Sequence, residues 1–165
     1  MSECCASAKR SDLQGTPCPE CGAAGREVGR ETVGAMARID VPPARLAHLT
    51  YGYCLTPRCR VVYYNRDGGV LQQSDLRVPV NVKDPGPDVP LCYCFGHTRG
   101  AIATEITVTG QSSASAVISE EIRAGHCACE VKNPSGRCCL GDVRRYEKQV
   151  AEQATAAQSG GAKNA

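Results

Sequence analysis

Between residues 50 and 72 the chain sets short β-branched or aromatic runs, "GYC", "RVVYY" and "GGVLQQ", between turn residues. That alternation predicts a small antiparallel sheet, with "RDGG" as a hairpin turn. The texture breaks at "NVKDPGPDVP", where Pro85, Gly86, Pro87 and Pro90 can sustain neither helix nor central strand. Beyond that break the periodicity becomes helical. Thr98 is placed to cap a helix that puts Ile102 and Ile106 on one face and ends near Thr109 and Gly110. A second helix is expected from the serine cluster through Val117, Ile118 and Ile122 to a stop at Gly125, and "CLGDVRRYEKQVAEQ" predicts a third with a thin apolar stripe. The expected class is α+β: a polar tail over 1–15, a β-rich domain over 16–82, a linker over 83–90, a short-helix domain over 91–150 and a disordered tail over 151–165.

Composition changes this picture in one respect. Among 165 residues there are 12 cysteines, no tryptophan, one phenylalanine and two methionines, so aromatic packing is not expected to anchor a large core. Small domains of this kind are commonly held by disulfides or bound metal. The N-terminus, "MSECCASAKRSDLQG", lacks the apolar core of a signal peptide, and no run approaches the roughly 18 apolar residues of a membrane span. A cytoplasmic location without membrane insertion is therefore expected, where clustered thiols read as metal ligands. A formal net charge of +2 is too small to point to nucleic acid as the main partner.

"CPECG" places Cys18 and Cys21 on a tight turn, with Gly22 available for a positive φ; "CLTPRC" supplies Cys54 and Cys59 between two predicted strands. Two such pairs on hairpin turns make a four-thiolate zinc site in a zinc-ribbon-like domain. Four thiolates leave no open coordination position, so this zinc is expected to be structural.

The second constellation differs in kind. Cys92 and Cys94 precede the capped helix, and Cys127, Cys129, Cys138 and Cys139 flank the turn-forming "NPSG". Four thiolates in two pairs suit a two-iron two-sulfur (2Fe–2S) cluster, with helix N-terminal amides donating to sulfur. Six thiols compete for four places. "LCYCFGHT" followed by "EI" resembles the start of a BFD-like (bacterioferritin-associated ferredoxin-like) 2Fe–2S domain. "CPECG", "YGYCLTPRCRVVYY", "CYCFG" and "CACEVKNPSGRCCLG", in that order over roughly residues 15–145, resemble the N-terminal metal-binding region of CopZ-type copper chaperones. The resemblance implies zinc on Cys18, Cys21, Cys54 and Cys59. It implies one iron on Cys92 and Cys94 and the other on Cys129 and Cys139, with Cys127 and Cys138 as alternates. The Met-x-Cys-x-x-Cys loop with which copper-carrying members bind their ion is absent from the sequence.

The expected protein is not an enzyme: there is no Ser/His/Asp arrangement, no paired carboxylates at a cleft and no phosphate-binding glycine loop. It is expected to be a metallochaperone-like protein handling a soft metal, copper or mercury, with single-electron transfer and a redox or metal-transport protein as partner. Cys4 and Cys5 are candidates for soft-metal capture, including Cu(I). The alternatives are a ferredoxin-like electron carrier with no third metal and a zinc-ribbon adaptor for protein or nucleic acid. His97, in the cluster loop, is a candidate to tune the cluster through a hydrogen bond to sulfur, whereas His48 and His126 read as ordinary surface or half-buried residues.

Overall fold

The computed structural model describes Leu13 and residues 15–160. Strands β1 (Arg26–Gly29), β2 (Thr50–Tyr53), β3 (Val61–Tyr64) and β4 (Val70–Gln72) form one antiparallel sheet in chain order. The three runs read from the sequence are β2, β3 and β4. β1 and the helix that follows it, α1 (Arg30–Met36), occupy a stretch in which the sequence offers only scattered arginines. The turn between β3 and β4 is locked by Asn65, whose Oδ1 accepts from the amides of Asp67 (3.0 Å) and Gly69 (2.9 Å).

Contrary to the compositional expectation, aromatic side chains do carry the bulk of the sheet core. Tyr51, Tyr53, Tyr63 and Tyr64 are its largest fully buried side chains, the first three packed with Val28, Val33, Met36 and Leu71. Three of the four hydroxyls donate to backbone carbonyls: Tyr51 to Arg45 (3.0 Å), Tyr63 to Pro134 (2.6 Å) and Tyr64 to Thr16 (3.0 Å). Tyrosine thus serves as a large apolar residue whose one polar atom is satisfied. A bulge between Val61 and Tyr63 breaks the strict alternation of β3. Val62 and Tyr63 consequently pack in the main core, while Val61 and Tyr64 pack beside Cys18, Cys54 and Cys59.

Gly52 sits where the Tyr64 ring crosses β2, and a methyl group there would overlap that ring. Gly52→Ala is expected to destabilise the sheet domain by about 3 kcal/mol through overpacking, read as a lower denaturant midpoint with an unchanged slope.

After Pro90 the chain first makes a hairpin, β5 (Pro90–Cys92) with β6 (His97–Thr98), rather than turning directly helical. α2 (Arg99–Thr109) then begins with the Thr98 hydroxyl accepting from the Ala101 amide at 3.2 Å and ends on Gly110 at φ +86°. α3 (Ala114–Arg123) is stopped by Gly125, also at positive φ, and the short α4 (Cys129–Lys132) leads into the "NPSG" turn. α5 (Leu140–Gly160) continues well into the stretch read as a disordered tail, because "VAEQATAAQ" is made of strong helix formers. Leu91, Ile102, Ile106, Ala114, Ile118 and Val143 form the second core, with Cys92 and Cys139 inside it. α1 packs on α4, and the Tyr63–Pro134 hydrogen bond ties the sheet to the "NPSG" turn. Among the described residues, no helix is long and apolar enough to cross a membrane.

Candidate metal centres

Two loops build the first centre. In the Cys18–Cys21 turn, the Gly22 amide donates to the Cys18 carbonyl (2.8 Å) and Gly22 adopts φ +70°, the conformation the turn requires. The second loop leaves β2 at Cys54 and re-enters β3 after Cys59, closed by the Cys59 amide donating to the Thr56 carbonyl at 3.2 Å. The loops are joined outside the thiols by Arg60 and Glu20 at 3.3 Å. All four Sγ atoms lie within 4.8 Å of one another. The Cys18–Cys59 and Cys21–Cys54 separations are 3.8 and 3.7 Å. Four thiolates about a zinc ion at ~2.3 Å stand about 3.8 Å apart, so the spacing fits a tetrahedral zinc site.

The surroundings divide the four thiols. Burial pushes Cys18 up and lifts Cys59 to about 12. Cys21 is brought down to about 6, chiefly by the Thr56 hydroxyl 3.3 Å away, which donates to the thiolate. Thr56 was not singled out from the sequence, although its place inside "CLTPRC" puts it within reach of any ion held there. A Zn²⁺ ion held by these four residues would displace the remaining protons, so the buried members would become thiolates only with a cation among them.

The second group is a run of neighbouring thiols. Cys139 packs with Cys92 in the second core and interacts with Cys92 and Cys129, Cys129 lies 3.6 Å from Cys94, and Cys127 sits 3.1 Å from Cys129. Cys94, Cys127 and Cys129 alone fall within 4.8 Å of one another. Cys92, Cys129 and Cys139 are buried, Cys94 and Cys127 half-buried, and Cys138 exposed. The "NPSG" turn creates this convergence. Asn133 holds it from both sides, its Nδ2 donating to the Arg137 carbonyl (2.7 Å) and its Oδ1 accepting from the Ser135 amide (3.0 Å).

Contact with Cys139 brings Cys129 down to about 5 and Cys92 to about 7, and the same contacts push Cys139 far up. Burial raises Cys94 and lifts Cys127 to about 12. Backbone amides favour the ionised sulfurs: Phe95 and Cys94 donate to Cys92, Ala128 to Cys94 and Cys139 to Cys129. Four neighbouring thiols, three buried and one half-buried, with amide donors, could hold an iron–sulfur cluster.

The remaining candidates lie apart. Cys4 and Cys5 fall outside the described residues. His97 is half-buried on β6 and makes no hydrogen bond to a sulfur among the described residues. The His126 ring meets Glu121 at 2.7 Å, and His48 meets Asp67 at 3.5 Å and the edge of Tyr51.

Comparison with known proteins agrees with the first centre. A family model described as a zinc-binding domain of the CopZ kind matches residues 15–77. The copper chaperone CopZ of Archaeoglobus fulgidus is 31% identical over 142 residues, covering 86% of this chain. The chain spans 66% of that relative's length. The X-ray structure of the A. fulgidus CopZ N-terminal domain superposes with a TM-score of 0.65 at 31% identity, covering 78% of this chain and 95% of that one.

Proposed function

We propose that this chain, a homologue of the copper chaperone CopZ whose residues 15–77 are a CopZ-type zinc-binding domain, handles a soft metal ion with the help of two resident metal centres. Zinc on Cys18, Cys21, Cys54 and Cys59 holds the sheet domain together. A 2Fe–2S cluster on Cys92, Cys94, Cys129 and Cys139 sits in the helical core. The soft ion is copper, taken as Cu(I), and the partner is a metal-transport or redox protein.

The observation that carries this reading is the gathering of Cys92 and Cys139 in the helical core beside Cys129, itself 3.6 Å from Cys94, three of them buried and all in a setting with amide donors. A site built only to hold the fold needs neither five neighbouring thiols nor that many donors. When bound, a cluster with an all-thiolate ligand set supplies a one-electron couple of low potential. The chain's own contribution is to incline Cys92 and Cys129 toward the thiolate, to supply amide donors, and to exclude water from Cys92, Cys129 and Cys139. Held by Cys92, Cys94, Cys129 and Cys139, the cluster would supply the single electron that converts Cu(II) to Cu(I), the ion that thiolates prefer.

The test is an anaerobic visible spectrum with iron, sulfide and zinc determined on the same sample, followed by mixing the reduced protein with Cu(II). The expected result is two irons, two sulfides and one zinc per chain, with bleaching reversed as Cu(I) forms. A colourless protein that holds zinc alone after anaerobic reconstitution overturns the redox reading and favours the adaptor. A coloured protein that never reduces Cu(II) and never binds Cu(I) leaves an electron carrier.

A further inference from the structure

A cleft of about 300 Å³ runs along the seam between the sheet domain and the helical domain. Its walls come from separate segments: Arg26 on β1, Tyr53 on β2, Asn81 from the chain before the linker, Arg99 at the start of α2, and one face of α5. Three arginines, Arg26, Arg99 and Arg145, face a single carboxylate, Asp142. Asp142 is already engaged by Arg145 at 2.8 Å. Arg26 and Arg99 have no carboxylate partner among the described residues.

Two polar atoms in these walls are free to take a ligand. Tyr53 is only 2% exposed, and its hydroxyl, unlike those of Tyr51, Tyr63 and Tyr64, has no hydrogen-bond partner among the described residues and opens into the cleft. The Nε of Arg99 is buried and likewise unpartnered. Arg99 is nevertheless held rigidly, with Nη2 donating to the Asn81 carbonyl at 2.8 Å and its guanidinium 5.4 Å over the Tyr146 ring. A buried guanidinium N–H without an acceptor is unfavourable alone. It lines the same recess as the unpartnered Tyr53 hydroxyl.

We propose that this seam is a binding site for a small anion bearing a carboxylate or phosphate group, held by Arg26 and Arg99 with Tyr53 donating to it. An excess of two positive charges in the walls disfavours cations. The volume, about ten water molecules' worth, admits a small metabolite and no polymer segment. Burial keeps the Tyr53 phenol protonated and therefore a donor at neutral pH. Because the walls belong to both domains, an occupant would fasten one to the other. Leu55 and Leu91 in the lining are chain neighbours of Cys54 and Cys92, so such fastening reaches both metal centres. None of the lining residues is a thiol, so the proposal stands or falls independently of the cluster.

The test uses the full chain with its metals, titrated calorimetrically with sodium malonate and with sodium phosphate against sodium chloride at matched ionic strength. Saturable one-to-one binding of malonate alone identifies a carboxylate ligand, of phosphate alone a phosphoryl ligand, and of both a site for either. Tyr53→Phe, which removes one oxygen and leaves the packing in place, is expected to weaken binding about tenfold, and Arg26→Gln by at least as much. Heats indistinguishable from sodium chloride, or unchanged affinity in both variants, overturn the site.

Discussion

Replacing Cys18 with serine is expected to abolish zinc binding and, with it, the cooperative fold of the sheet domain. Cys18 is 1% exposed and packs with Leu13, Val61 and Tyr64, so its thiolate is both ligand and core. Structural zinc sites contribute apparent binding energies of about 10–16 kcal/mol, comparable to or larger than the ~5–15 kcal/mol stability of a whole domain. With strands of three and four residues, the sheet has little independent stability to fall back on. Emission spectrometry should find the zinc stoichiometry falling from one per chain to near zero, and the amide resonances of β1 to β4 should collapse to unfolded positions. The exposed Cys138 serves as control: its serine variant should keep both. Stoichiometric zinc in the Cys18 variant would show that three thiols suffice and that the tetrahedral site has been misassigned.

Sequence legibility followed locality. Thr98, Gly110 and Gly125 announced their helix ends because caps and positive-φ stops are chemical signals carried by single residues. The two cysteine pairs that meet in the first centre were legible for the same reason, each confined to one turn. α1 was not: its inward residues Thr32, Val33 and Met36 span barely one turn, too short for a period to emerge among the arginines and glutamates around them. The tyrosines were misjudged because composition counts aromatics without weighing them. Four tyrosines on two short strands, β2 and β3, outweigh the missing tryptophan, with backbone carbonyls taking three of their hydroxyls. The seam cleft draws on residues from Arg26 to Gln149 and has no local signature at all. The choice among neighbouring cysteines lay between these cases, since spacing brought the right segment to the centre without saying which sulfur turns inward.

That choice is decided by a thiol scan of the second centre. Alanine at Cys92, Cys94, Cys129 or Cys139 is expected to remove essentially all visible absorption and bound iron, while alanine at Cys127 or Cys138 leaves both near the parent level. Cys139 should be the most damaging, because it is the thiol that interacts with both Cys92 and Cys129 and lies buried in the second core. Cys138 is exposed and lies outside the run of neighbouring thiols. Cys127 is the informative neighbour. At 3.1 Å from Cys129 it is closer than the roughly 3.8 Å that separates two thiolates on one tetrahedral metal, so the pair as placed cannot both be ligands of the same ion. Cys129, the first residue of α4, receives an amide donor from Cys139, and its thiol is brought down to about 5, whereas burial lifts Cys127 to about 12. The thiol already inclined to ionise is the one expected to bind iron. If Cys127→Ala loses the iron and Cys129→Ala keeps it, the ligand lies two residues earlier than proposed. The cluster would then be anchored on the loop between α3 and α4 instead of on α4, leaving it tied less directly to α1 and the sheet.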